Sequence, residues 1–233
     1  MKIVTRPAAA RGRTRTEWLD SRHTFSFGEY QDPAHMGFRS LRVLNDDVVE
    51  SGQGFGQHGH RDAEILSYVF EGRLEHKDSM GNGRVIEEGD VQYMSAGRGV
   101  LHSEFNPSGD QRVHFLQIWL LPHETGAAPC YAYRRLGNDA QANALTLLFS
   151  GRPRNGAIGI RADADVYVGR IDAGERLEHR LGAGRGVWLH VVNGGVVVAI
   201  ETLGPGDGAS IEQTEIIQIE SPRGSEFVFF DLK

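Results

Sequence analysis

Apolar residues along this chain gather in short runs, and no segment before Pro122 sustains a helical period. The runs Leu41 to Val49, Glu64 to Phe70, Val85 to Ile86, Val91 to Met94 and Val113 to Leu121 are rich in β-branched and aromatic residues, which suit a pleated, half-buried surface. Turn-forming clusters punctuate them: Asn45–Asp46–Asp47, Glu71–Gly72, Met80–Gly81–Asn82–Gly83 and Glu88–Gly89–Asp90. After Pro122 the pattern lapses, and residues 123–143 read as a connector of Ala, Gly and polar positions holding one short helix. Strand-like runs resume at Leu145 to Phe149, Val166 to Arg170, Val187 to Val192, Val196 to Ile200, Glu215 to Ile219 and Glu226 to Leu232. Short strands without intervening helices predict an all-β chain. Its expected divisions are a barrel over 1–122, a linker over 123–143 and a second barrel over 144–233.

A weak internal repeat favours one kind of unit used twice. Val187 to Gly194 resembles Ile65 to Gly72 at an offset of 122 residues, each a strand closed by a glycine, and Gly206–Asp207 echoes Gly89–Asp90 at 117.

Composition narrows the class. Thirty glycines in 233 residues are nearly twice the roughly 7% expected, and they are spread along the chain, as many tight turns between strands require. The formal net charge is −6, and the nearest thing to a basic block is Arg11, Arg13 and Arg15, too small a basic face for direct nucleic-acid binding. A single cysteine, Cys130, rules out an intramolecular disulfide, and with no cationic cluster nearby in sequence it reads as inert. The longest apolar stretch, Val187 to Ile200, is broken by His190, Asn193, Gly194 and Gly195, so no membrane span is expected. No apolar signal core follows Met1, and a cytoplasmic address is the expectation.

The chemistry concentrates in two places. His58 and His60 follow a glycine-rich stretch, and in extended chain residues two apart share a face, so both can reach one ion. His102 and Glu104 repeat that spacing after another glycine-rich turn. Brought together inside a barrel, His58, His60, His102 and Glu104 offer three imidazoles and a carboxylate to one divalent ion, leaving coordination positions open. Imidazole donors suit Fe, Zn, Ni, Cu and Mn, and Fe(II) is the first expectation, ahead of Ni, Mn, Co, Cu and Zn. Spacing alone also allows Glu64 as the acidic ligand. Gly52, Gly54 and Gly56 lead into a strand rather than a helix, which excludes a dinucleotide fingerprint. His114, among apolar strand neighbours, reads as a hydrogen-bonded core residue. His23 and His35 carry no assigned chemistry and belong to an N-terminal segment expected to cover one end of the barrel.

At these residues the sequence resembles the cupin superfamily. Gly52, His58, His60, Glu64 and Gly72 follow its first motif, with seven residues rather than six before the last glycine. Gly89, Gly97, His102 and Asn106 follow its second, with Ser95 in place of a proline and two extra residues before the histidine. More narrowly, the chain is similar to the pirin family from roughly Trp18 to Pro122, through His23 to Phe27, Asp32–Pro33, Met36 to Phe38, Leu41 to Val43, Asn45 to Asp47, Gly54–Phe55, Glu64–Ile65, Asp78–Ser79 and Met94 to Gly97. One departure is Gly59, where that family usually has proline between the two histidines.

The resemblance implies a bicupin, two cupin-type double-stranded β-helix (jelly-roll) barrels in tandem. It puts the acidic ligand at Glu104, with Glu64 left to the core or to hydrogen bonding. It also implies two alternatives. One is a quercetinase-type dioxygenase that takes a flavonol or similar small aromatic substrate, in which Glu104 accepts the substrate's acidic proton. The other is a metal- and redox-sensing regulator acting through a protein partner. A third reading from the same ligands is a sugar-binding or isomerase-type cupin, against which Phe55, Phe105 and Phe115 near the motifs lean. At the repeat offsets His58, His60, His102 and Glu104 map to Arg180, Gly182, Ile219 and Ser221, so the second barrel is expected to hold no metal.

Overall fold

The computed structural model describes residues 1–137 and 141–233, and among them there is no α-helix; strands dominate, with a 3-10 turn at Ala8–Ala10. The chain divides into two compact units. The first comprises Gly12–Gly137 with Ile160–Ala162, and the second Met1–Arg11, Asn138–Gly159 and Asp163–Lys233.

The chain begins with β1 (Lys2–Arg6), which belongs to the second unit. The first unit holds β2 (Gly12–Arg15), β3 (Leu19–His23), β4 (Leu41–Val49), β5 (Gly54–His60), β6 (Glu64–Glu71), β7 (Arg73–Asp78), β8 (Gly83–Glu87), β9 (Val91–Ser95), β10 (Val100–Phe105), β11 (Val113–Leu120) and β12 (Cys130–Arg134). They form a seven-stranded sheet, β12-β9-β6-β11-β4-β3-β2, and a four-stranded sheet, β5-β10-β7-β8. Leu19, Val49, Val69, Val113 and Phe115 from the larger sheet pack with Leu74 and Ile86 from the smaller in one buried cluster, so the two sheets enclose a common core.

The second unit holds β13 (Ala144–Ser150), β14 (Ile158–Gly159), β15 (Ala164–Ile171), β16 (Glu175–Arg180), β17 (Gly186–Gly194), β18 (Val196–Val198), β19 (Glu201–Leu203), β20 (Gly208–Glu212), β21 (Ile216–Ser221) and β22 (Ser225–Leu232). Its sheets run β1-β20-β17-β22-β15-β13-β14 and β16-β21-β18-β19, and inside the edge strands of the larger sheet the order is that of the first unit. The two glycines that end β6 and β17 occupy the same turn for the same reason. Gly72 (φ 80°) and Gly194 (φ 72°) are left-handed, and a Cβ on either would collide with a carbonyl, that of Arg112 or of Gly224.

Several segments lie elsewhere than the sequence places them. Residues 1–11 join the second unit because β1 pairs along its whole length with β20, Lys2 opposite Glu212 to Arg6 opposite Gly208. Within the expected linker, β12 completes the edge of the first unit by pairing with β9. The short helix expected across 123–143 falls on a stretch of which residues 138–140 lie outside the described residues, and Gly137 just before them is in a 3-10 turn. Asn45–Asp46–Asp47 is the middle of β4 rather than a turn, its backbone satisfied on both sides by β3 and β11. The N-terminal segment does not merely cover the barrel, since β2 and β3 extend its larger sheet.

Candidate metal centre

In β10 the usual rule of an antiparallel strand is inverted. Leu101 and Phe105 are exposed (46% and 37%), while His102 and Glu104, on the alternate face, are buried (1% and 2%). A strand that turns apolar side chains to water and polar ones inward forgoes hydrophobic burial, a mark of a site rather than of packing. β5 lies alongside with His58 opposite His102 and His60 opposite Val100.

This register gathers three imidazoles. The ring centroids of His58, His60 and His102 are 4.5 to 4.8 Å apart, and one nitrogen of each lies within 4.8 Å of the others. Nδ1 of His58 donates to the Gly56 carbonyl at 2.7 Å, which in the neutral ring leaves the Nε2 lone pair facing Nε2 of His102, 3.1 Å away. Two imidazole nitrogens converging this closely, one ring anchored through its other nitrogen, fit a shared cation. Burial, and then the neighbouring His58, push His60 down to about 4. Burial, and then His58, His60 and His76, push His102 down to about 2 against the opposing pull of Asp78. Both rings are thus neutral at ordinary pH, the state a metal ligand needs.

Glu104 sits in a cage of donors. Gln92 Nε2 donates to its Oε1 at 2.8 Å, Gln117 Nε2 to its Oε2 at 2.5 Å, and Ser67 Oγ lies at 3.4 Å. Burial first, and then the charge of Asp47, raise its pKa to about 7, and these hydrogen bonds restrain the rise. Glu104 is not within the three-histidine group. It forms a second group of ligand atoms with His102 and His76, and it lines the same pocket as His58 and His60. Glu64 is hydrogen-bonded instead, accepting from the Tyr93 hydroxyl, from Ser95 Oγ at 2.6 Å and from the Arg161 backbone N–H at 2.8 Å.

The pocket that reaches His58, His60 and Glu104 has a volume of about 570 Å³. Its walls are aromatic. Trp119 packs edge-on against His60 at 4.7 Å, Phe27 meets Trp119 at 5.6 Å, and Trp18 meets Phe55 at 5.3 Å. Of the three phenylalanines near the motifs only Phe55 lines it; Phe115 is core and Phe105 faces outward. His114, half-buried, bonds Asp46 at 2.5 Å. His23, given no role from sequence, lines the pocket with Thr14, Ser21 and Asn45, and it bonds Thr14 and Asn45. His76 stands in no motif of the sequence. It is buried opposite Glu104, and only the register of β7 against β10 reveals it.

In the second unit, Ile219 of β21 stands opposite Leu177 of β16, and Ile217 opposite His179. Equivalent strands therefore align His58, His60, His102 and Glu104 with Leu177, His179, Ile219 and Ser221. This corrects the mapping to Arg180 and Gly182. The link from β16 to β17 is longer than that from β5 to β6, so one offset cannot hold across it. Ile217 and Ile219 are fully buried in the apolar core, and His179 bonds Asp231 at 2.9 Å.

Two barrels of this strand order, one carrying a three-histidine metal site, define a bicupin. Residues 4–120 match the pirin family, and residues 147–232 match the quercetinase C-terminal cupin domain. The chain belongs to the pirin family. A quercetin 2,3-dioxygenase of Escherichia coli K12 is 45% identical to it over 230 residues, 99% of this chain and 98% of that one. A putative quercetin 2,3-dioxygenase of Pseudomonas aeruginosa is 35% identical over 231 residues, 99% of each. The crystal structure of the bacterial pirin YhhW from Escherichia coli in complex with nickel(II) superposes with a TM-score of 0.95 at 43% identity, covering 99% of each chain.

Proposed function

We propose that this chain is a metal-dependent dioxygenase of quercetinase type, which opens the central ring of a flavonol with O2 and releases CO. The observation that carries the reading is a histidine triad of which His58 and His60 line a pocket of about 570 Å³ with several aromatic walls, within the size range of small-molecule sites. The full-length relative named quercetin 2,3-dioxygenase supports it.

His58, His60 and His102 would hold one divalent ion, with Glu104 as the fourth ligand. Fe(II) is the first choice, and Ni, Mn, Co, Cu and Zn are compatible with the donor set. The ion would supply a redox-capable Lewis acid. The rest falls to the chain. Trp119, Phe27, Phe55 and Trp18 would grip the flat substrate and exclude water. Glu104, one of the carboxylates that line the pocket, would accept the acidic hydroxyl proton at an oxygen that Gln92 or Gln117 keeps oriented. The cytoplasmic address belongs to this reading.

A second reading, a regulator that signals its metal state to a protein partner, is favoured by a shallow hollow on the outer side of His60, lined by Arg61, Ser79 and Leu101.

The test is aerobic quercetin turnover by apo protein and by protein reloaded with Fe(II) or Ni(II), beside His60→Ala. Metal-dependent loss of the flavonol band with CO release, absent from the variant, is expected. Fully loaded protein that leaves quercetin unchanged in air would sink the enzyme reading and favour the regulator.

A further inference from the structure

Among the described residues of the first unit, two buried imidazole nitrogens have no hydrogen-bond partner: Nδ1 of His102 and Nδ1 of His76. Buried polar groups are rarely left so, and each calls for an explanation. Their chemistry is complementary. Asp78, at the end of β7, has a buried side chain held by the turn after it: Met80 N–H donates to Oδ1 at 2.9 Å, Asn82 N–H at 3.1 Å, and Asn82 Nδ2 to both oxygens. An ionised carboxylate only accepts, so the 3.0 Å contact between Asp78 Oδ2 and His76 Nε2 places the His76 proton on Nε2. Nδ1 of the neutral His76 ring is then an acceptor with nothing to accept.

His102 presents the opposite case. Its Nε2 faces His58 at 3.1 Å, toward the triad. A histidine that gives its Nε2 lone pair to a metal carries its proton on Nδ1, which needs an acceptor. Metal-bound histidines almost always have one. The two rings are 5.4 Å apart centre to centre on adjacent strands, and His76, His102 and Glu104 bring one ligand atom each within 4.8 Å of one another. Tyr131 stacks on His76 at 4.7 Å, nearly parallel, and fixes the ring plane.

We propose that Asp78 and His76 form a positioning relay: His76, oriented by Asp78 and Tyr131, accepts the Nδ1–H of His102 and so holds the His102 Nε2 lone pair toward the metal. One water molecule bridges any remaining gap at little cost. The second unit offers an internal control. Its registers align His76 and Asp78 with Val196 and Val198, both fully buried, so the unit that lacks the triad also lacks the relay. The inference rests on the triad binding a metal, and not on the substrate.

Nitrogen-15 NMR of the Zn(II)-loaded wild-type protein tests it without any variant. His102 is expected to carry a slowly exchanging proton on Nδ1, while His76 Nδ1 is proton-free and hydrogen-bonded. A His76 ring protonated on Nδ1, or found coordinating the zinc, overturns the proposal. The variants are His76→Phe, which keeps the stack on Tyr131, and His76→Gln, which restores an acceptor. Ni(II) calorimetry should give a Kd about ten- to a hundredfold weaker for His76→Phe, partly recovered in His76→Gln, with the circular dichroism of both unchanged. Should His76→Phe misfold, Asp78→Asn is read in its place, with weaker Ni(II) binding expected. Wild-type Ni(II) affinity in a folded His76→Phe or Asp78→Asn protein also overturns it. Tight, relay-dependent Ni(II) binding in a protein inert to quercetin would leave this inference standing and remove only the enzyme reading.

Discussion

In the first unit, β10 turns His102 and Glu104 inward, and Glu104 meets Gln92, Gln117 and Ser67. The aligned strand of the second unit, β21, turns Ile217, Ile219 and Ser221 inward, where the isoleucines join a core of Leu189, Ala209 and Phe229. The registers place these last three where the first unit has Ser67, Gln92 and Gln117. The same strand order thus encloses a ligand set with its polar cage in one unit and a continuous apolar core in the other. The difference teaches that the ladder of backbone hydrogen bonds defines the barrel. Inward side chains then decide whether it is a site or a scaffold. They also differ in company, since cage, ligands and the His76–Asp78 pair are all replaced together.

The largest effect should come from removing the first unit's contrast altogether. His102→Ala takes away the imidazole shared by both groups of ligand atoms, and elemental analysis of Ni(II)-reloaded protein should fall from one metal per chain to none. Metal retained at full stoichiometry would mean that the second unit, or another place, binds it. Next, Glu104→Gln keeps the shape of the caged group but not its capacity to take a proton. We expect kcat for quercetin to fall about 10²- to 10⁴-fold, measured on protein of verified metal content.

The second unit can be broken without touching the first. Phe229 is fully buried, and Phe229→Ala should cost about 3–5 kcal/mol by denaturant titration while Ni(II) stoichiometry stays at one. A loss of metal in the folded variant would show that the units are not chemically independent.

A smaller effect separates the units by pH. Burial alone would raise the Asp165 pKa, but hydrogen bonds from Arg154 and Ser150 outweigh it and hold the carboxyl below its ordinary range. A depressed folded pKa contributes stability above the unfolded value, near 3.9, and that stability is lost as pH falls through the folded value. Asp165→Asn should therefore lower stability at neutral pH and flatten its decline below about pH 4, with metal binding at neutral pH unaltered. Smallest of all is Gly59→Ala. A Cβ there meets the end of exposed Leu101 at 3.3 Å and the Val100 carbonyl at 3.8 Å, so stiffening the strand between the two histidines should gain about 0.4–1 kcal/mol. A drop in Tm would instead reveal that β5 needs the freedom of glycine.

Much of this was legible in the chain. β4, β6, β9 and β11 announce themselves through Val, Ile, Leu and aromatic residues, because central strands gain their stability from burial. Both pairs at i, i+2 spacing were legible as well, since the alternation of an extended chain is a local property. β5, β7 and β16 were not, being glycine-rich or charged and held by pairing rather than by composition. Nor was β1, whose partner β20 lies some two hundred residues away in sequence.

The sequence by itself determined the all-β class, the two units and the histidines that could share an ion. Tertiary structure alone decided that Glu104 is caged beside His76, that Asp78 orients His76 toward His102, and that Leu177 and Ile219 fill the matching positions of the second unit. Spacing along a strand states which side chains share a face. Which face they meet is fixed by register between strands, and a register is set by hydrogen bonds and packing across the whole barrel.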